Sequence, residues 1–175
     1  MKRFVLVLLV CFITLSANAK IITGEVEYNA EQARGEVFEN PLEPVSFNFI
    51  SNHFIDSHAE ENMNCLSSGI TELEDRKLAK FSDGSYGVTY RNDPLYSWFY
   101  YQGKLINFTQ KDSTSYPCKI TKYKPDGTVA NAGYKVSESE SFIFSPNGKL
   151  LAHWSGNLCY DSNNNIIMTR KTVTK

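Results

Sequence analysis

The sequence predicts an α+β fold dominated by β structure, with two or three short N-terminal helices packed on an antiparallel meander of about 8–10 strands. Three observations predict it. Two stretches before residue 70 combine one-sided apolar periodicity with capping signals. From Ile70 onward, short runs of aromatic and β-branched residues alternate with turn signals. No stretch after Gly69 has helical periodicity long enough for a parallel crossover, so sequential strands must pair antiparallel.

The first helix is expected from Ala30 to Glu39. Asn29 is an N-cap with Gln32 three residues on, as in a capping box, and Asn40-Pro41 ends the run. The second is expected from His58 to Ser68, opened by Ser57 with Glu60 and closed by Gly69. Between them, Val45 to Ile55 is apolar and reads either as a third short helix or as an extended piece.

The turn signals are Asp83-Gly84, Asn92-Asp93-Pro94, Gln102-Gly103, Pro125-Asp126-Gly127, Pro146-Asn147-Gly148, Ser155-Gly156-Asn157 and Ser162 to Asn165. Asp-Gly and Asn-Gly mark hairpins because both central positions reach positive φ cheaply. Gly84, Gly103, Gly127, Gly148 and Asn165 recur roughly every twenty residues, each followed by a similar apolar phrase. Each such unit is a hairpin that cannot bury its apolar face alone.

The phrases Tyr100-Tyr101-Gln102-Gly103-Lys104-Leu105, Phe144 to Leu150 and Tyr160 to Ile167 resemble the hairpin repeats of MORN-variant and YD (Rhs-like) proteins, over Leu95 to Arg170. The resemblance implies a tandem-hairpin scaffold or binding surface. It assigns no functional residue.

Residues 1–19 read as a cleaved secretory signal. Lys2 and Arg3 precede the apolar run Phe4 to Leu15, and Ala17-Asn18-Ala19 is a small-x-small cleavage site. Twelve apolar residues span only about 18 Å as a helix, too little for a hydrocarbon core of about 30 Å. Val10 before Cys11, mid-way through the run, argues against a lipid anchor. Residues 20–175 are then one secreted or periplasmic domain, with 20–69 mainly helical and 70–175 the meander.

A length of 175 residues with 42% hydrophobic and 21% charged content is enough for one core and short for two. A formal charge of −1 argues against nucleic acid as a partner. Asp and Glu outnumber Lys and Arg in residues 20–83, and the reverse holds in 84–175. Either the acidic helices pack over a basic sheet, or the two surfaces serve different partners.

Three cysteines follow the signal: Cys65, Cys118 and Cys159. An oxidising compartment permits one disulfide, with Cys118–Cys159 the candidate among three pairings. The alternative is that all three are small buried hydrophobes.

Catalytic motifs are missing. No Gly-x-Ser-x-Gly, phosphate loop, His-Glu-x-x-His or Cys-x-x-Cys occurs. His58 beside Asp56 reads as a helix-capping cluster, and Cys65 with His58 falls short of a metal set. His153 and Cys159, across the Ser155-Gly156-Asn157 turn, are the one candidate nucleophilic pair. Asn107-Phe108-Thr109 is a glycosylation sequon. No cofactor or metal is expected.

The segment Leu95 to Tyr101 is the most informative. As a strand it points Tyr96, Trp98 and Tyr100 to one side, with Phe99 and Tyr101 on the other. Either the strand is central and covered on both sides, with the N-terminal helices as the cover, or one face is an exposed aromatic platform, with His153-Trp154 a milder case. The resulting expectation is an exported, non-catalytic binding or scaffold protein. It would engage a protein or cell-envelope glycan through Tyr96, Trp98, Tyr100 and Trp154. The alternatives are an envelope component assembling through strand edges near Ile166–Thr172, or a small hydrolase or inhibitor using His153 and Cys159.

Overall fold

A computed structural model describes residues 28–65 and 69–170. The signal segment lies outside these residues. Three helices come first: α1 (Ala30–Val37), α2 (Phe47–Ser51) and α3 (Ala59–Asn64). Eleven strands follow: β1 (Gly69–Glu72), β2 (Arg76–Lys80), β3 (Tyr86–Tyr90), β4 (Tyr96–Tyr101), β5 (Lys104–Lys111), β6 (Cys118–Tyr123), β7 (Val129–Lys135), β8 (Glu140–Phe144), β9 (Leu150–Ser155), β10 (Leu158–Tyr160) and β11 (Ile166–Thr169). They form one sheet in strict sequence order, every neighbouring pair antiparallel. No helix among the described residues is long and apolar enough to cross a membrane.

The capping box at Asn29 is present. Asn29 accepts from the Glu31 and Gln32 amides at 3.0 and 2.9 Å, and Gln32 Oε1 accepts from the Asn29 amide at 3.0 Å. The ambiguous segment resolves into α2. Helix α3 is shorter than expected, mainly at its C-terminal end; at its start Ser57 makes no capping bond to the backbone, and Asp56 Oδ1 accepts from His58 N at 3.0 Å. Gly69 opens β1 rather than closing that helix.

The sheet holds one strand more than the upper expectation. The joints β1–β2, β5–β6 and β7–β8 use Leu73 to Asp75, Asp112 to Pro117 and Val136 to Ser139, none of which carries a glycine. The seven signalled turns all join strands.

Cross-strand partners share a face, so register assigns the sides. One face carries Leu78, Val88, Trp98, Phe108 and Tyr123, all buried under α2 and its flanks with Ile50. Further along that face, Ala132, Tyr134, Phe142 and Phe144 pack with Ala33 and Val37 of α1. The helices therefore cover one side of the sheet.

Three hairpin turns at one end of the sheet hold this layer down. Asp56 N donates to Gly103 O at 3.0 Å, and Val45 N donates to Gly127 O at 3.0 Å. Arg34 Nε donates to Gly148 O at 3.0 Å. The N-terminal segment thus runs back across the sheet, against strand order. Gly127 has φ +85°, and a Cβ there would lie 2.2 Å from Val45 O and 2.8 Å from Ile50 Cδ1. Only glycine permits both the turn and the approach.

Gly127→Ala is expected to destabilise the protein by about 2–4 kcal/mol, combining left-handed strain with a forced gap under α2. Gly84→Ala, at the same φ but with no atom closer than 4.0 Å, should lose only the backbone part, about 1–2 kcal/mol. Urea unfolding of the two variants checks the difference. Equal losses would mean that the Val45 approach adds nothing.

Candidate functional site

Tyr96, Trp98 and Tyr100 lie on the covered face. Trp98 and Tyr100 are each only 1% exposed, and Tyr96 is half-buried. His53 stacks on Trp98 at 3.6 Å and 2°, while Phe49 sits 5.0 Å from Tyr96 and 5.6 Å from Trp98. These rings form the core beneath α2 and offer no platform. Strand period places them together, and the helices decide that they are inside. Trp154 is half-buried on the other side of the sheet, with the Arg170 guanidinium 4.0 Å above its ring. The four candidates therefore do not converge.

The cysteine and histidine pairings fail on strand order. Cys118 is on β6 and Cys159 on β10, four strands away, about 19 Å at ordinary strand spacing. A disulfide needs Cα atoms within about 7 Å, and both thiols are free, as is Cys65. Burial pushes the Cys118 and Cys159 thiols up from their ordinary range, against the lowering fields of Lys111 and Lys135 on the first and Arg170 on the second. His153 is opposite Tyr160, whereas Cys159 is opposite Trp154. Neighbouring residues point to opposite faces, so His153 and Cys159 sit on different sides of the sheet. His153 instead stacks on Phe142 at 4.3 Å and reaches Glu140 at 3.4 Å. Cys65 and His58 occupy opposite ends of α3. No group of three metal-ligating side chains occurs among the described residues.

The open face is what the sequence reading passed over. At one end Ala79, Gly87, Phe99 and Asn107 form a cross-strand row. The Phe99 ring lies over Gly87, where a Cβ would come within 2.8 Å of it. Phe81 stacks beside Phe99 at 6.4 Å, and Phe81 and Tyr101 are each 45% exposed. Asn107 Oδ1, part of the sequon, is enclosed there without a hydrogen-bond partner. Towards the middle, Thr109, Lys122 and Asn131 form one row. Lys111, Ile120, Gly133 and Ile143 form the next. Cys118, Lys135, Ser141 and Trp154 form a third. Lys135 lies 5.0 Å from the ring centre of the exposed Tyr116. The signal for this surface was the presence of Lys111, Lys122 and Lys135 on three successive strands, but sequence alone does not say which side is uncovered.

On the helical side, a cleft of about 310 Å³ opens between α2, α3 and the β3–β4 turn. His53, Asp56, His58, Tyr90, Asp93 and Tyr100 line it. Asp56, 5% exposed, accepts from Tyr86 OH at 2.7 Å, Asn62 Nδ2 at 2.8 Å and His58 N at 3.0 Å. Asn62 Oδ1 in turn accepts from Arg76 Nε at 3.0 Å. Arg76, 3% exposed, also reaches Asp75 at 2.8 Å and Glu61 at 2.5 Å. Burial first, then Asp56, pushes the Tyr86 hydroxyl far above its usual range. Asp56 is thus committed to holding α3 on β3, and this cleft wall is structural.

Compared with family models, with curated proteins and with solved structures, the chain matches none.

Burial against Trp98 lowers the His53 pKa below its ordinary 6.5, outweighing the raising field of Asp93. Unfolded His53 therefore takes up a proton more readily than folded His53. Its contribution to stability is complete above pH of about 6.5 and is lost as pH falls from there towards the folded value. Urea midpoints at pH 7.5 and 5.5 should differ more for the native chain than for His53→Gln. An equal drop in both would assign the acid sensitivity to other groups.

Proposed function

We propose that the chain is an exported, non-catalytic binding or scaffold protein that engages a protein or cell-envelope glycan through the uncovered face of its sheet. One observation carries the reading: among the described residues, helices cover one side of the sheet over β2–β8 and none lies on the other side, where Phe81, Tyr101 and Tyr116 are exposed. Exposed aromatic rings offer flat apolar area, and the two tyrosines add a polar tip, a combination that suits sugar rings or a partner surface. The secretory signal at residues 1–19 supports export, and the hairpin phrases support a scaffold role. No cofactor enters this reading.

The test is pull-down of envelope material by the native chain and by a Phe81→Ser/Tyr101→Ser variant, with Phe47→Ser on the helical side as control. Phe47 is 62% exposed, so it tests apolar exposure elsewhere. Capture should fall at least tenfold in the double variant alone, with unchanged melting. Undiminished capture would remove the Phe81 and Tyr101 end of the open face as the binding surface.

A second reading, assembly through strand edges, has its own observation. In β11, Ile166, Ile167 and Met168 are 54–58% exposed, on a strand with only β10 as partner among the described residues. Unpaired apolar edges template further pairing. Sedimentation of the native chain should then show concentration-dependent association that Ile167→Lys abolishes. A monomer at all concentrations would sink this second reading.

A further inference from the structure

We propose that Lys111, Lys122 and Lys135 make the middle of the open face a binding site for an acidic polysaccharide. This rests on the open face being the binding surface, and it names the ligand class.

The three lysines stand on adjacent strands β5, β6 and β7, on the uncovered side. Strand geometry sets their Cα atoms roughly 8 to 14 Å apart. None of them is in an ion pair among the described residues, and neither is Lys104 at the other end of β5. The cations that do have carboxylate partners lie elsewhere. Lys119 and Arg76 reach Glu39 and Glu61 in the helical layer, and Lys77 and Arg91 share Glu72 of β1. The nearby carboxylate Asp112, just past β5, takes the backbone amide of Lys119 at 2.8 Å. Among the described residues, the carboxylates of the acidic half thus pair with cations of the covered side and the sheet edge, not with these lysines.

The surroundings select the polymer. Between the lysines the surface presents Ile120, with Thr109, Asn131, Gly133 and Ser141 around it, so hydrogen-bonding groups flank a small apolar step of the kind a sugar ring's C–H face meets. Protein hot spots centre on aromatic anchors in desolvated pockets; the nearest such ring here, Trp154 in the row of Lys135 and Ser141, is already covered by Arg170. Tyr116 at the patch edge, with the Lys135 ammonium over its ring, offers a flat face for a sugar next to a cation. A chain of sugar rings with carboxylates at repeated intervals matches both features. A net charge of −1 leaves no wider basic field for nucleic acid.

The test uses polygalacturonate as probe, with neutral dextran, anionic phosphatidylglycerol vesicles and single-stranded DNA as comparisons. The native chain should bind polygalacturonate at low salt, lose it as salt rises, and ignore dextran. Lys111→Gln/Lys122→Gln/Lys135→Gln should weaken binding at least tenfold with unchanged melting. The corresponding Lys→Arg triple should restore it, and Lys77→Gln should leave it intact. Absent binding at low salt, binding indifferent to the Gln triple, or equal lysine-dependent binding of DNA or vesicles would each overturn the proposal. Envelope capture separates the two levels. If the Gln triple still captures envelope material and Phe81→Ser/Tyr101→Ser does not, the polysaccharide site fails while the open-face reading stands. If both capture normally, the two fail together.

Discussion

Three hydrogen bonds to turn carbonyls organise this molecule. Gly103, Gly127 and Gly148 each offer a carbonyl at the same end of the sheet, and Asp56, Val45 and Arg34 take one each. Those three residues are evenly spaced along the N-terminal segment. The spacing lets one strap cross successive hairpins and seat an apolar side chain between them, with Ile50 in one cluster and Ala33 and Val37 in the other. Antiparallel sheets commonly pack one face on a core and leave the other wet. The turns supply the fixed points for that cover.

The buried polar chain Asp56–Asn62–Arg76 is the second constraint, and it follows from the first. Once the Asp56 amide is tied to Gly103, its carboxylate is carried inside, where an unsatisfied charge would cost several kcal/mol. Tyr86, Asn62 and the His58 amide satisfy it, and Asn62 relays to Arg76. That relay fixes the position of α3 over β2 and β3. A helix of six residues has little intrinsic stability, so this network and the flanking apolar contacts keep it folded.

The hairpin joints with Gly84, Gly103, Gly127 and Gly148 were legible because left-handed turns demand particular residues. Joints at Leu73–Asp75 and Val136–Ser139 were not, since their chemistry resembles ordinary strand or loop sequence. The capping box at Asn29 was legible for the same local reason. The side of the sheet was a different matter. Leu95 to Tyr101 is aromatic on both faces, and burial of Trp98 depends on Phe49 and His53 from a distant segment. Likewise the distance between Cys118 and Cys159, and the opposite orientation of His153 and Cys159, follow from strand order and register. The lysines of β5–β7 read as ordinary surface charge until the covered side is known.

The backward run of the strap bears on the order in which the chain can fold. Synthesis proceeds from the N-terminus, yet Arg34 finds its acceptor 114 residues later in the sequence. Asp56 meets Gly103 first, Val45 must wait for Gly127, and Arg34 waits longest, for Gly148. If the chain folds as it emerges, the helical layer is completed in reverse, with the partners of α3 available before those of α2 and those of α1 last. Docking of the earliest-made helix reports that the hairpins through β8–β9 are in place, and until then its apolar face, Ala33 and Val37, stays without its partner strands.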